Sequence, residues 1–300
     1  MHPIYLLEKW CFVTVNYNLG ADTIDCVRSL QVAGAHMSQI VVVDNASTDH
    51  SLDQIRAALG SELTILESGS NQGYAHGLNL GIEYALCNGY NWLLLMNNDT
   101  VVYPNFLTLL AQAADGNSKT LFGPVIYYYD RPEIIWSMGD YRVRGTLFGY
   151  SLFRNRPLKP NLPTVMPVDF LNGCCMLIHR DVLERIGYWD TAYFMYCEEV
   201  DFCWRAQQAG FRMATVTTAR MLHKVSSSAK RIGSRALYLR IRNQNWLYRR
   251  YSNLAQLAIM APLSMLRNIL YSLKLAWQGE GRAVFIPILG WFDGWFRMKG

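Results

Sequence analysis

Three hundred residues allow one large domain, or one domain with a substantial appendage. With 51% apolar and 17% charged residues the chain can build a sizeable core, which excludes a disordered protein. The net charge is +5, but Lys224 to Trp277 holds ten Lys/Arg and no Asp/Glu. Such a block suits substrate phosphates, nucleic acid or an anionic membrane. It carries no recognisable nucleic-acid module, so no nucleic-acid partner is expected. Seven cysteines form no CxxC and include an odd one. They read as reduced thiols of a cytoplasmic protein, not as a disulfide frame or zinc site. Glu8 and Lys9 break the pattern of a signal peptide.

Strand and helix signals alternate in chain order. Strands are expected at Cys11–Val15, Ile40–Val43, Leu63–Leu66 and Trp92–Met96. Helices are expected at Asp22–Ala33, near Leu52–Leu59, at Tyr74–Cys87, and at Pro104–Ala113 with Pro in the first turn. This alternation predicts an α/β fold with a doubly wound, mostly parallel sheet. Further on, Thr120–Tyr129 reads as a strand and Asp130–Pro167 as an irregular, aromatic-rich insertion. Cys174–Ile178 reads as a strand, Asp181–Ile186 as a short helix, Glu198–Ala209 as a helix ended by Gly210, and Phe211–Val216 as a strand.

Asn253–Gln278 is strongly apolar, but polar residues interrupt it. At about 100° per residue, Asn253, Gln256, Ser264, Arg267, Lys274 and Gln278 share roughly an 80° sector, into which Met260 and Tyr271 intrude. Pro262 should kink the helix. A helix lying in a bilayer interface fits this pattern. Packing on the protein's own core, or in a homodimer, is the alternative.

The residues that carry chemistry stand at strand ends. The apolar run Leu93-Leu94-Leu95-Met96 stops at Asn97-Asn98-Asp99. Ligands of open α/β sheets gather at such carboxyl ends, and Asp99 and Asn97 offer hard oxygens suited to Mg2+ or Mn2+. The second strand ends in Val43-Asp44-Asn45, where a carboxylate can accept from a uracil or thymine imide N–H or merely cap the next turn. Asn71-Gln72-Gly73-Tyr74-Ala75-His76-Gly77-Leu78-Asn79 matches neither a Walker loop nor GxGxxG, so ATP hydrolysis and dinucleotide binding lose support. In Glu198-Glu199-Val200-Asp201, Asp201 can pair with Arg205 four residues on, leaving Glu199 as the freer carboxylate and a candidate general base.

The order of these motifs resembles glycosyltransferase family 2, the inverting transferases of GT-A fold, especially its rhamnosyltransferase-like bacterial members. The resemblance runs from about Phe12 to Arg250, through Val13-Thr14-Val15-Asn16-Tyr17-Asn18 and the motifs above, and on to Phe170-Leu171-Asn172-Gly173 and Gly187-Tyr188-Trp189-Asp190. It implies a catalytic domain over residues 1–223, with a nucleotide-sugar half of about 1–118 and an acceptor half of about 119–223. A basic, amphipathic helical extension over 224–300, membrane-associating, would follow. It further implies Glu199 as base and a divalent cation on Asp99, Asn97 and His223. The nucleoside diphosphate sugar (dTDP or UDP) would lie on Tyr17, Asp44, Asn45, Asn71, Gly77, Asn79 and Asn98. A saccharide or lipid-linked acceptor would meet Trp189, Asp190 and Glu198. Two departures stand out: Asn97 replaces the first Asp of the family's DxD, and Glu199 replaces the commoner Asp. The expected activity moves a sugar, foremost rhamnose from dTDP-rhamnose and otherwise a UDP-hexose, onto a polysaccharide or lipopolysaccharide intermediate at the inner face of the membrane. A non-catalytic sugar-nucleotide-binding protein and a nucleotidyltransferase are the alternatives, the latter weakened by the lack of an N-terminal Gly-rich phosphate loop.

Overall fold

Continuous apolar runs, buried on both faces of a sheet, dictate the centre of the molecule. The computed structural model describes residues 7–143, 149–225 and 233–298. In it β1 (Trp10–Asn16) and β2 (Ile40–Asp44) are buried throughout. With β3 (Thr64–Glu67) and β4 (Trp92–Asn97) they form a parallel array in the order β3-β2-β1-β4. Successive side chains point to opposite faces. Phe12, Val42 and Leu94 enter one apolar cluster; Val13, Val43 and Leu95 enter the other. α1 (Gly20–Val32) and α2 (Ser51–Leu59) cover the first face, and α3 (Tyr74–Cys87) covers the second.

Beyond β4 the sheet continues with mixed polarity. After β5 (Thr100–Val102) and α4 (Phe106–Ala114) come β6 (Thr120–Tyr128), β7 (Arg131–Ser137) and the short ribbon of β8 (Tyr141–Arg142) and β9 (Gly149–Tyr150). β10 (Val165–Val168), β11 (Cys175–His179), α5 (Arg180–Ile186), α6 (Glu198–Gln208) and β12 (Arg212–His223) follow. β11 lies antiparallel between β4 and β6, β12 runs parallel to β6, and β5 and β10 pair antiparallel with β12. One sheet therefore crosses from the first half of the chain into the second.

Several boundaries differ from the sequence reading. Pro104 lies outside α4, whose cap is Asn105. The stretch read as irregular supplies β7 to β10, whose apolar residues surround Ile135, Met138 and Phe153. The strand expected to stop at Val216 passes through a bulge between Val216 and Arg220 and runs on to His223. Thr217 within that bulge donates its amide to Thr164 O and its hydroxyl to Pro163 O, both at 2.8 Å, which ties the bulge to the segment before β10.

The carboxyl-terminal part forms α7 (Ser234–Tyr251), α8 (Leu254–Trp277) and α9 (Ile286–Phe296). α9 crosses α7 closely because Gly290 and Gly294 meet Ile241 and the backbone of Arg242 and Trp246. α8 is inverted relative to a helix of a soluble domain. Its Ser264, Asn268 and Ser272 are buried, whereas Leu254, Leu263, Leu266, Leu270, Leu273 and Trp277 are exposed.

α3 approaches β1 through glycine. A Cβ at Gly77 would lie 2.8 Å from Val15 Cγ1, and one at Gly81 would collide with Val13. Gly81→Ala is expected to cost about 1–3 kcal/mol through overpacking. The measurement is a lower urea midpoint at unchanged slope.

Candidate active site

The registers of the parallel strands place their polar ends in one row. Asn16 pairs with Asp44, and Val15 with Asn97, so the ends of β1, β2 and β4 stand side by side. Above them opens a cavity of about 700 Å³, within the range of small-molecule sites. Tyr17, Asn45, Asn71, Asn97, Asn98, Asp99, Glu198, Glu199 and His223 all line it. A smaller hollow of about 280 Å³ lies at the opposite strand ends, by Trp10 and Trp92, and gathers no comparable polar set.

Asp99 occupies the turn between β4 and β5. Because Thr100 is the register partner of His223, the return strand carries the imidazole to the carboxylate. His223 Nε2 lies 3.1 Å from Asp99 Oδ1, both side chains being buried. Trp136 packs edge-on against the imidazole at 4.5 Å, and His223 Nδ1 finds no partner. A spacing near 3 Å suits two adjacent ligands of one small cation. Mg2+ characteristically takes one or two carboxylates and fills its remaining positions with water and substrate phosphates. The Asp99–His223 pair fits such an ion. Among the described residues no cluster of three or more His, Cys, Asp or Glu adds further ligands.

The two glutamates come from the first turn of α6. Gly173 allows the approach, since a Cβ there would lie 3.1 Å from Glu199 Cβ. Asp201, on the same turn, is fully buried and takes the cations: Arg205 Nε at 2.8 Å and Arg250 at 3.3 Å, with the Tyr251 hydroxyl at 2.5 Å. Glu199 keeps part of its surface open, but that surface faces the cavity. Burial raises its carboxyl to about 7, and Asp140 adds to the rise while backbone N–H groups oppose it. Glu198, whose Oε2 has no hydrogen-bond partner, is pushed well up by burial and then by the neighbouring Glu199.

Other residues singled out in the sequence lie elsewhere. Asp44 is buried behind the cavity wall, accepting from Asn16 Nδ2 at 2.8 Å and from the Ser47 hydroxyl and amide at 2.6 and 3.0 Å. It holds the turn whose next residue, Asn45, faces the cavity. Gly77 abuts Val15. Asn79 clamps the backbone of Trp189 from both sides, at 2.8 and 3.0 Å, and Trp189 stacks on Phe202 in the core. Asp190 caps a 3-10 turn and pairs with Arg250 at 2.6 Å. Within the basic block, Lys224 is tied to Asp22 and Asp25 of α1, and Lys230 and Arg231 lie outside the described residues. Arg235 and Arg240 of the basic block, on α7, also line the cavity, as do Tyr74 of the Asn71–Asn79 motif and Phe194, an aromatic that could stack on a sugar. Arg154 and Tyr271 line it too, and no local motif marks them; only the packing of distant elements brings them here.

The profile of glycosyl transferase family 2 matches residues 11–187. The chain belongs to that family. A low-salt glycan biosynthesis hexosyltransferase of Haloferax volcanii is 28% identical over 246 residues, covering 80% of this chain and 75% of the relative. An N-acetylglucosaminyl-diphospho-decaprenol L-rhamnosyltransferase of Mycobacterium tuberculosis is 28% identical over 238 residues, covering 73% and 77%. A mannosyltransferase of Pyrobaculum calidifontis, solved with GDP-Man and Mn2+, superposes with a TM-score of 0.58 at 15% identity. That superposition covers 97% of this chain and 88% of the solved one. The fold is accordingly GT-A, and this family 2 member is a glycosyltransferase.

Raised carboxyl pKa values set the sign of a stability effect. The folded protein holds the Glu199 proton more tightly than the unfolded chain. This contribution is fully present below the usual value of 4.5 and is lost as pH rises through about 7. Glu199→Gln should therefore melt above the wild type at pH 8 and converge with it near pH 5. The gain is about 1–2 kcal/mol, since water in the cavity screens part of the penalty. Melting temperatures across that pH range are the check.

Proposed function

We propose that this transferase moves a sugar, with inversion, from a nucleoside diphosphate sugar to a hydroxyl of a lipid-linked saccharide. The observation that carries this reading is the opening of Asp99, His223 and Glu199 into one cavity at the carboxyl ends of the sheet. Tyr17, Asn45, Asn71 and Asn98 would face the nucleotide, with Asp44 bracing the turn that presents Asn45. Asp99 and His223, with Asn97 alongside, would hold Mg2+ or Mn2+. When bound, such an ion supplies positive charge against the departing diphosphate. Arg235 and Arg240 can add to that charge from α7.

Glu199 is the group suited to act as base. A carboxylate titrating near 7 is ionised in half or more of the molecules at neutral pH, and it is a stronger base than an ordinary glutamate. It would take the proton of the acceptor hydroxyl as that oxygen bonds to the anomeric carbon. The bond from that carbon to the donor phosphate breaks in the same displacement, and the nucleoside diphosphate leaves with the electron pair. Glu198, whose carboxyl is pushed up by burial and then by Glu199, lines the same cavity and would face the acceptor.

The mycobacterial relative supports rhamnose as the sugar and a diphospho-polyprenol acceptor; the archaeal relative keeps a hexose open. The test is nucleoside diphosphate release from dTDP-rhamnose and UDP-hexoses with Mn2+ and lipid-linked acceptors. Glu199→Gln should bind donor within about threefold of wild type and lose at least ~100-fold in turnover. Near-normal turnover in that variant excludes Glu199 as base.

The inverted α8 supports attachment to the cytoplasmic face of a membrane. At 24 residues and a mean hydropathy of 1.2 it is long and apolar enough to cross one, by length and composition. Its polar edge is engaged inward, with Ser264 accepting from Trp291 Nε1 and Arg267 donating to Gln244. The outward side, joined by Phe285, Leu289, Phe292 and Phe296 around α9, suits the acyl boundary of a bilayer. The protein should co-sediment with phosphatidylglycerol vesicles, and Leu263→Glu with Leu270→Glu should release it. A monomer that ignores vesicles overturns the attachment; a dimer dissolved by the same pair of substitutions assigns the face to a second copy.

A further inference from the structure

The turn leading into the two glutamates has an unusual backbone. Phe194, Tyr196 and Cys197 take φ values of 61°, 72° and 70°, the left-handed region that side chains with a Cβ disfavour. Such a conformation persists only where its surroundings impose it. No glycine lies between Tyr193 and Glu198 to relieve it.

Asn243 of α7 imposes it. Its side chain is completely buried, and its Nδ2 donates to Tyr193 O, Met195 O and Tyr196 O at 2.8, 2.8 and 2.9 Å. An amide nitrogen carries two hydrogens, so one is shared between carbonyls. Asn243 Oδ1 accepts from Arg242 Nε at 2.9 Å, which fixes the rotation of the amide. The remaining carbonyl of the turn, Phe194 O, accepts from Tyr74 N of α3 at 2.7 Å. The successive carbonyls from Tyr193 to Tyr196 are thus all taken, three by one asparagine and one by the nucleotide-side helix. Phe194, Met195 and Tyr196 line the cavity, and the turn delivers Glu198 and Glu199 into it.

We infer that Asn243 is a positioning residue for this transferase, clamping the left-handed turn Tyr193–Cys197 and so fixing where Glu199 stands in the cavity. The inference rests on Glu199 being the base. Asn243 is not among the residues that line the cavity; it acts through the turn. Tyr193 O also accepts from the Met195 amide at 2.7 Å and from Arg242 Nη2 at 3.4 Å, but no other side chain among the described residues donates to more than one carbonyl of this turn.

The test uses Asn243→Ser in the full-length chain, which removes the amide without adding charge. UDP and dTDP binding counts the folded sites, and turnover is expressed per site with whichever of dTDP-rhamnose or a UDP-hexose the wild type uses. Nucleotide affinity should stay within threefold while turnover falls at least tenfold. The acid limb of the turnover profile should move to lower pH as water reaches Glu199. The titratable and charged groups around Glu199, namely Glu198, Asp140, Tyr196, Cys197 and Cys203, with Arg235 and Arg240 of the same cavity, are all retained in the variant. Amides of residues 195–201 should exchange hydrogen at least tenfold faster, with β1 and β4 unaffected. Should the serine variant fail to fold, the isosteric Asn243→Asp is read by affinity, turnover per site and exchange. Unchanged turnover per site or unchanged exchange overturns the clamp. So does a parallel fall of affinity and turnover with the acid limb in place, the signature of general destabilisation. A wild-type protein that turns over no donor sinks the Glu199 reading instead, a different failure.

Discussion

The antiparallel pairing of β5 with the end of β12 is the constraint on which the site depends. β4 ends at the cavity and the chain must reverse there, and the reversal carries Asp99. Only the register Thr100 to His223 brings an imidazole to that carboxylate from the far end of the chain. A slip of one residue would turn His223 to the opposite face of the strand. The bulge between Val216 and Arg220 matters for the same reason, since it sets the phase in which the last residues of β12 arrive. The Lys224 amide, donating to Asp99 O at 2.9 Å, closes the arrangement one residue beyond the strand.

The same economy governs the acidic turn of α6. Glu198, Glu199 and Asp201 all gain from the helix N-terminus, which favours negative charge. They part company over their partners. Asp201 receives Arg205 and Arg250 and a tyrosine hydroxyl, whereas the glutamates have no ion pair among the described residues. Desolvation without a compensating cation raises a carboxyl, Glu199 to about 7 and Glu198 well above its ordinary value. The chain thereby separates one acid that secures the helix from two that face the cavity without a paired cation among the described residues. Asp201 also ties α6 to α7, so the element bearing the candidate base and the element bearing Asn243 are locked together through a group that does no chemistry.

Much of this was legible in the residues, for identifiable reasons. The strands β1, β2 and β4 announce themselves because buried parallel strands are continuous apolar runs, and their polar ends announce the cavity. The pairing of Asp201 with Arg205 follows from helical spacing alone, and that elimination left Glu199 standing. What the residues alone do not give is a side chain's partner when that partner lies far along the chain. Asp44 stands at a strand end, and the fold adds Asn16 to the neighbouring Ser47 as a donor to its oxygens. Trp189 and Asn79 hold each other across the packing of α3 against the second half. Asn243 offered no signal, because an asparagine in a helix interior reads as neutral until the carbonyls it serves are known.

The carboxyl-terminal helices show how the fold divides a polar pattern that the sequence presents as one sector. The narrow sector of Ser264, Arg267 and Lys274 was expected to meet lipid headgroups, with the apolar remainder below. In the fold Ser264 turns toward α9, and Tyr271, which intrudes on the sector, reaches the cavity, while Arg267, bonded to Gln244 of α7, and Lys274 stay exposed at its edge. Polar groups buried against protein need partners, and Trp291 supplies one to Ser264; Asn268 Nδ2 and Ser272 Oγ remain without one. The apolar majority is what faces outward. A helix so arranged contributes at once to the wall of the candidate active-site cavity and to an exposed apolar surface. An acceptor whose saccharide enters the cavity while its lipid stays in a bilayer would need a wall of that kind, apolar outside and polar within.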